Sequence, residues 1–133
     1  MTNSRKIHGG LILVDFDGTL AEHEYPRIGP EIPLAIQTCL ELRGNGLKLG
    51  LWTMRSGRLL EDAVAWCRER GLEFDFVNEA PPDQVEWSSS RKVHGIVIDD
   101  HALGCPLKLH SNRRPHVDWK VARRLLKSRG LLP

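Results

Sequence analysis

Short, uninterrupted apolar runs alternate along this chain with segments in which apolar residues recur every three or four positions. The first run, Leu11–Val14, is wholly aliphatic, with glycine before it and an acid after it. Continuous aliphatic runs of this kind are typical of strands buried on both faces of a parallel sheet. The runs along the chain predict four strands, at about residues 10–15, 47–53, 74–77 and 95–100.

Segments with helical spacing lie between and after these strands. Apolar residues recur across Ile32–Leu40 and across Leu59–Cys67, and glycines follow both segments, as is usual at helix ends. Asp118 has a side chain suited to an N-cap, so a last helix is predicted at about 117–129. Trp52 and Trp66 are predicted to lie in the core. The apolar stripe of the last helix is formed by Trp119, Ala122, Leu125 and Leu126.

The alternation of strand and helix predicts an α/β fold, a three-layer Rossmann-like sandwich around a central, mainly parallel sheet. A chain of 133 residues is long enough for one domain, and the connections between the predicted elements are short. We therefore expect a single domain over residues 1–133, with no second domain inserted. Residues 80–90, which contain two prolines and three serines, are predicted to be a loop.

Three of the predicted strands end in polar side chains suited to phosphoryl chemistry, and a lysine precedes the last strand. Because the carboxyl ends of parallel strands lie at one edge of the sheet, these groups should converge in space although they are far apart in sequence. Two carboxylates beside a buried strand are costly unless they are solvated, bind a metal or take part in chemistry. The residues are Asp15 and Asp17, Thr53 and Arg55, Lys92, and Asp99 and Asp100.

The sequence Asp-Phe-Asp-Gly-Thr-Leu at residues 15–20 resembles the first motif of the haloacid dehalogenase superfamily, whose members are mostly phosphatases. An apolar strand ending in Thr53, the basic residue Lys92 and the sequence Val-Ile-Asp-Asp at 97–100 resemble the second, third and fourth motifs, in the same order. The resemblance extends to about Gly104 and implies an HAD-like fold. A dehalogenase would not need the second acid of the first motif, so Asp17 favours phosphoryl transfer.

The resemblance implies a magnesium-dependent phosphatase that hydrolyses a phosphate monoester. Asp15 would be the nucleophile that forms an aspartyl-phosphate, and Asp17 would be the general acid and base. Magnesium prefers oxygen ligands. Asp15, the backbone carbonyl of Asp17, and Asp99 would bind it, with Asp100 as a further ligand or a neighbour of the ligands.

Four more residues are expected at the phosphate site, Thr53 and Lys92 as catalytic residues and Gly18 and Arg55 as phosphate-binding residues. Thr53 would donate its hydroxyl to a phosphoryl oxygen, and Lys92 would neutralise charge on the phosphoryl group and on Asp15. Gly18 allows a sharp turn behind the acids. Arg55 is suited to a forked contact with phosphate or with an acidic group of the substrate, and a surface ion pair is its alternative role.

The segment 22–27 is a short flap that would contact substrate. His23 within it is either a substrate contact or a solvated loop residue. Asn78 either points into the site or caps a turn, and the turn cap is favoured. His101 is expected to support the metal site as a hydrogen-bond donor rather than as a ligand.

The larger relatives carry an inserted cap domain, and neither gap between motifs in this chain has room for one. The resemblance is therefore to small capless phosphatase-like proteins, whose active sites are open to solvent. Such relatives act on large substrates, including nucleic-acid ends, or form oligomers in which a neighbour covers the site. The expected partners are thus a phosphorylated substrate and, in a homo-oligomer, a second copy of this chain that covers the site.

Composition and charge add one alternative. Residues 107–133 carry eight basic residues against one acid, whereas residues 1–106 carry 11 against 16. The basic segment is either the solvated face of a helix or a contact for nucleic acid or an acidic partner, so the alternative function is a non-catalytic or weakly catalytic binding protein. Nucleic acid is disfavoured because Trp119 is the segment's one aromatic residue.

Cellular location is predicted from the cysteines and from hydropathy. The three cysteines, Cys39, Cys67 and Cys105, are too scattered for a disulfide framework or a zinc motif. They are expected to be buried, reduced thiols. The chain also has no apolar run long enough for a membrane helix. The two observations together predict a cytoplasmic protein.

Overall fold

The computed structural model describes residues 10–82, 93 and 95–133. These residues form an α/β fold with a central four-stranded parallel sheet and three helices, an arrangement compatible with a Rossmann-like fold. The strands are β1 (Leu11–Val14), β2 (Ala21–Glu24), β3 (Arg27–Glu31), β4 (Lys48–Leu51), β5 (Phe76–Val77), β6 (Ile96–Ile98), β7 (Leu107–Lys108) and β8 (His116–Val117). The helices are α1 (Ala35–Gly44), α2 (Gly57–Glu69) and α3 (Trp119–Ser128).

The central sheet has the strand order β5-β4-β1-β6, with every pairing parallel. Val14 at the end of β1 lies opposite Leu51 of β4 on one side and Ile98 of β6 on the other. All four residues of β1 are buried, so both faces of the sheet are covered along its central strand. The residues that follow β1, β4 and β6 are therefore brought to the same edge.

The core combines β1 and β4 with one face of each helix. Asp118 caps α3 as predicted, because its side chain accepts hydrogen bonds from the backbone N–H groups of Lys120 and Val121. Cys39 and Cys67 are buried free thiols, and burial raises the pKa of Cys67 to about 12. The buried helix residues are Ala35, Ile36, Thr38, Cys39 and Leu42 of α1, Ala63 and Cys67 of α2, and Trp119, Ala122 and Leu126 of α3.

The four predicted strands and three predicted helices are confirmed, with shorter strands than the apolar runs indicated. The third strand begins at Phe76 rather than residue 74. Just before it, the Asp75 N–H donates to the Leu49 carbonyl at 2.8 Å, and the Asp75 carboxylate accepts from the Leu49 N–H at 2.9 Å, so that the Leu49 N–H is bonded to a side chain rather than to a backbone carbonyl. The prediction for Trp52 was wrong, because its side chain lines a cleft, whereas Trp66 is half-buried against the core.

Two antiparallel hairpins, β2–β3 and β7–β8, were not predicted. The first includes the segment predicted as a flap, and its turn contains a cis peptide bond between Tyr25 and Pro26. Lys92 lies outside the described residues. No helix within the described ranges is long and apolar enough to cross a membrane.

Candidate functional site

A cleft of about 700 Å³ lies at the carboxyl edge of the central sheet. Five of the predicted strand-end groups line it, namely Asp15, Asp17, Thr53, Arg55 and Asp99. The convergence expected from the parallel sheet is therefore confirmed. The other lining residues are His23, Glu24, Tyr25, Trp52, Met54, His101 and Arg114.

Asp15 follows β1 directly, and its N–H donates to the Ile98 carbonyl of β6 at 3.0 Å. Burial and, next, the negative charge of Asp99 raise the pKa of Asp15 from its ordinary value of 3.8 to about 8. The Thr19 hydroxyl lies 3.5 Å from Asp15 Oδ2 as a donor. Without a cation, this position holds a carboxyl group whose ionisation is strongly opposed.

Asp99, Asp100 and His101 form a compact cluster after β6, with one ligand atom from each residue within 4.8 Å of the others. The side chain of Asp100 is only 7% exposed, and its Oδ1 atom has no hydrogen-bond partner. The His101 Nδ1 atom lies 3.2 Å from that oxygen without the alignment of a hydrogen bond. A buried carboxylate oxygen left unpaired is unfavourable, and a hard cation would satisfy it.

His23 on β2 reaches the same cluster from the flap. Its Nε2 atom is buried and lies 3.4 Å from Asp100 Oδ2, again without a hydrogen bond. Gly18 makes this approach possible, because a Cβ atom there would overlap the Asp100 carboxylate and lie 2.8 Å from the His23 ring. Gly18 also has a φ of 82°, which a residue with a side chain rarely adopts.

Asp17 is held by Arg55 in a forked ion pair. Arg55 donates from Nε to Asp17 Oδ2 and from Nη2 to Asp17 Oδ1, both at 2.8 Å. The Arg55 side chain is 1% exposed, and Arg55 also donates to the carbonyls of Pro26 and Arg27 in the flap hairpin. One guanidinium group therefore connects the second acid of the first motif to the flap.

This arrangement corrects the prediction for Arg55. The planar fork suited to a phosphate is occupied by Asp17 and by backbone carbonyls, so Arg55 has the contacts of a positioning residue rather than a substrate contact. The alternative of a surface ion pair is also wrong, because the pair is buried.

Thr53 and Asn78 organise the loop after β4. The Asn78 side chain accepts a hydrogen bond from the Thr53 N–H at 2.8 Å and donates to the Arg55 carbonyl at 3.3 Å. Thr53 Oγ1 accepts from the Arg55 N–H at 3.1 Å, which leaves the hydroxyl proton available to a ligand. Asn78 thus holds the loop and is not among the residues that line the cleft, in agreement with the favoured structural role.

Comparison with known proteins gives one relative. No family model matches the chain, and no curated protein matches it. The chain is similar to a solved structure described as that of the conserved protein coded by locus from Bacteroides thetaiotaomicron. The identity is 41% over 89% of this chain and 89% of that one, with a TM-score of 0.71.

This chain belongs to the family of that conserved protein. The identity and the mutual coverage extend the relationship over most of both chains. The description of that protein names neither a reaction nor a ligand.

In this member of the family, the flap residue Tyr25 lines the cleft as predicted, whereas sequence reasoning missed three other lining residues. These are Trp52, Met54 and Arg114, and Met54 is 99% exposed. Arg114 lies in the turn of the β7–β8 hairpin, in a segment interpreted only as basic. The turn-forming residues at 111–112, Ser-Asn, were the available signal for that hairpin.

Proposed function

We propose that this protein is a magnesium-dependent phosphatase with an HAD-like active site, acting through an aspartyl-phosphate on Asp15. The observation that carries the proposal is the half-buried Asp15 carboxyl beside Asp99 and Asp100, in a cleft that also holds Asp17 and Thr53. The resemblance of residues 15–20 to the first motif of the haloacid dehalogenase superfamily supports the same chemistry, and so does the topology of the parallel sheet.

The donor set supports a magnesium ion. The unpaired Oδ1 atom of Asp100, whose side chain is buried, and the half-buried carboxylates of Asp15 and Asp99 are hard oxygen donors that lie close together. Asp15, Asp99 and Asp100 would hold the ion, together with the carbonyl of Asp17. A bound magnesium ion would supply positive charge that favours ionised Asp15 and that stabilises the oxygens of the phosphoryl group.

In the first step, a carboxylate oxygen of Asp15 forms a bond to phosphorus while the bond between phosphorus and the ester oxygen breaks. Asp17 gives a proton to the departing oxygen, so an alcohol leaves and the aspartyl-phosphate remains. Both Asp17 oxygens accept hydrogen bonds from Arg55, so Asp17 must take up a proton before this step. Arg55 keeps the carboxyl oriented.

In the second step, Asp17 accepts a proton from a water molecule whose oxygen attacks phosphorus. The bond between phosphorus and Asp15 breaks, inorganic phosphate leaves, and Asp15 returns as a carboxylate. The ion-paired carboxylate form of Asp17 is the one that this step requires. The Thr53 hydroxyl would donate to a phosphoryl oxygen in both steps, and Lys92 is proposed to neutralise charge there.

The test is hydrolysis of phenyl phosphate by the purified protein, with magnesium and with EDTA. We expect turnover that needs magnesium and that falls to background in Asp15→Asn, because an amide cannot act as the nucleophile. Asp62→Asn is the matched control, since this carboxylate is 53% exposed on α2. Turnover retained in Asp15→Asn would contradict the assignment of the nucleophile, and no turnover by the wild type would contradict the proposed reaction.

A further inference from the structure

Among the residues that the structure describes, the arginine in this cleft that is available to a substrate belongs to the β7–β8 hairpin, which the sequence did not predict. Arg55 and Arg114 are the two arginines among the residues that line the cleft. Arg55 is engaged by Asp17 and by backbone carbonyls. Arg114 is exposed, and within residues 10–82, 93 and 95–133 its guanidinium group forms no ion pair. The N–H donors of its guanidinium group are therefore available to bind an anion.

The β7–β8 hairpin is fixed to the loop that carries the catalytic acids. The Val117 N–H donates to the Gly18 carbonyl at 2.9 Å, and the indole of Trp119 donates to the Thr19 carbonyl at 2.6 Å. The turn of the hairpin is held at its side by an ion pair of 2.8 Å between Arg113 and Glu22 of the flap. The position of Arg114 over the cleft thus follows from contacts with the active-site loop itself.

Asp15 and Arg114 differ in depth. Asp15 is half-buried at the end of β1, whereas Arg114 is exposed in the turn of the β7–β8 hairpin. A phosphoryl group attacked by Asp15 must lie at the bottom, so the part of the substrate that reaches Arg114 belongs to the leaving group. A guanidinium fork matches a carboxylate or a second phosphate in that part.

We infer that Arg114 determines specificity by binding a second anionic group of the substrate. The preferred substrates are then small phosphate monoesters whose leaving group carries a carboxylate or a further phosphate. This inference rests on the proposed function, since it takes the phosphoryl group to lie at Asp15. It also gives a role to part of the basic segment 107–133.

Binding of two phosphonates that resist hydrolysis tests the inference without requiring turnover. The probes are phenylphosphonate and para-carboxyphenylphosphonate, and calorimetry in the presence of magnesium measures both dissociation constants. We expect the wild type to bind the carboxylated probe about tenfold more tightly, as one charge-assisted hydrogen-bonded contact would give. In Arg114→Ala this ratio should fall to about one, and Arg114→Lys, which keeps the charge without the fork, should retain part of it.

Arg124→Ala is the matched control, because it removes the same charge from an exposed position on α3 outside the cleft. We expect it to keep the wild-type ratio. Equal affinity of the wild type for the two probes, no binding of either probe, or an unchanged ratio in Arg114→Ala would each overturn the inference. A ratio that falls equally in Arg124→Ala would also overturn it, because the effect would then be one of overall charge.

The two proposals fail separately. Magnesium-dependent hydrolysis of phenyl phosphate without a preference for the carboxylated probe would overturn the role of Arg114 and leave the reaction standing. The probe preference without hydrolysis would overturn the reaction and leave an anion-binding cleft that uses Arg114.

Discussion

At the scale of single residues, the contacts of Arg55 define the site as much as the acids do. Arg55 donates to both oxygens of Asp17 and to the carbonyls of Pro26 and Arg27, and its side chain is almost fully buried. Its guanidinium carbon also lies 5.1 Å from the centres of the Phe16 and Tyr25 rings. Arg55 therefore holds together the acid, the flap and the aromatic residues around them.

Replacing Arg55 should destabilise the fold strongly. Arg55→Ala leaves Asp17 without its partner, and we expect a loss of about 3 kcal/mol in the free energy of unfolding, as for other broken buried pairs. Arg55→Lys should recover little of this, because an ammonium group cannot make the fork. Urea denaturation measures the loss. Arg58→Ala is the control, since the Arg58 side chain is 87% exposed and its ion pair with Asp62 should contribute little.

At the scale of elements, the basic helix α3 is partly committed to internal contacts. Arg123 donates to the Thr38 hydroxyl and to the Glu41 carboxylate of α1, each at 2.9 Å. The Arg123 guanidinium lowers the pKa of Glu41 through that hydrogen bond. The face opposite the core is therefore less basic than the count of arginines indicates, which weakens the alternative of nucleic-acid binding through this helix.

Two neighbouring arginines on α3 should behave differently on substitution. Arg123→Ala removes two hydrogen bonds between helices and should cost about 1 kcal/mol of unfolding free energy. Arg124→Ala removes an exposed charge and should change it by less than about 0.5 kcal/mol. Thermal or urea denaturation of the two variants makes the comparison. Equal effects would contradict the structural role of Arg123.

At the scale of the whole molecule, stability should depend on pH and on divalent cations through the acidic cluster. In metal-free protein the pKa of Asp15 is raised from 3.8 to about 8, mainly by burial and then by Asp99. The folded chain thus binds the Asp15 proton more tightly than the unfolded chain does. The stabilisation is complete below the unfolded pKa and is lost as the pH rises through the folded one.

With EDTA present, we therefore expect the free energy of unfolding to fall as the pH rises from about 4 to about 8. The same series with Asp15→Asn should lose most of this slope, because the amide does not titrate. Added magnesium should stabilise the wild type and reduce its slope, since a cation that binds the folded state favours the ionised carboxylate. Urea denaturation across this pH range measures all three. A wild-type stability that rises with pH in EDTA would contradict the prediction.

Much of the architecture was predictable because it depends on local pattern. The aliphatic run of β1, the helical spacing of α1 and α2, and Asp118 as an N-cap each act within a few residues. The convergence of Asp15, Thr53 and Asp99 followed from one further rule, that parallel strands share an edge. The first hairpin was not predicted because its strands, Ala-Glu-His-Glu and Arg-Ile-Gly-Pro-Glu, are mostly polar and have neither an aliphatic run nor a clear alternation. The two-residue strands of the second hairpin are too short to show any pattern.

The sequence by itself determined the order of the four central strands and the three helices, the parallel sheet and the acids at its carboxyl edge, because burial and strand direction follow from which residues are apolar. Only the tertiary structure decided what each charged side chain contacts. Arg55 was free to bind a ligand as far as sequence showed, and the structure gives it to Asp17. Arg114 was one charge in a basic segment, and the structure brings it to the cleft. Such contacts depend on how loops that are far apart in sequence pack together, so no local sequence pattern predicts them.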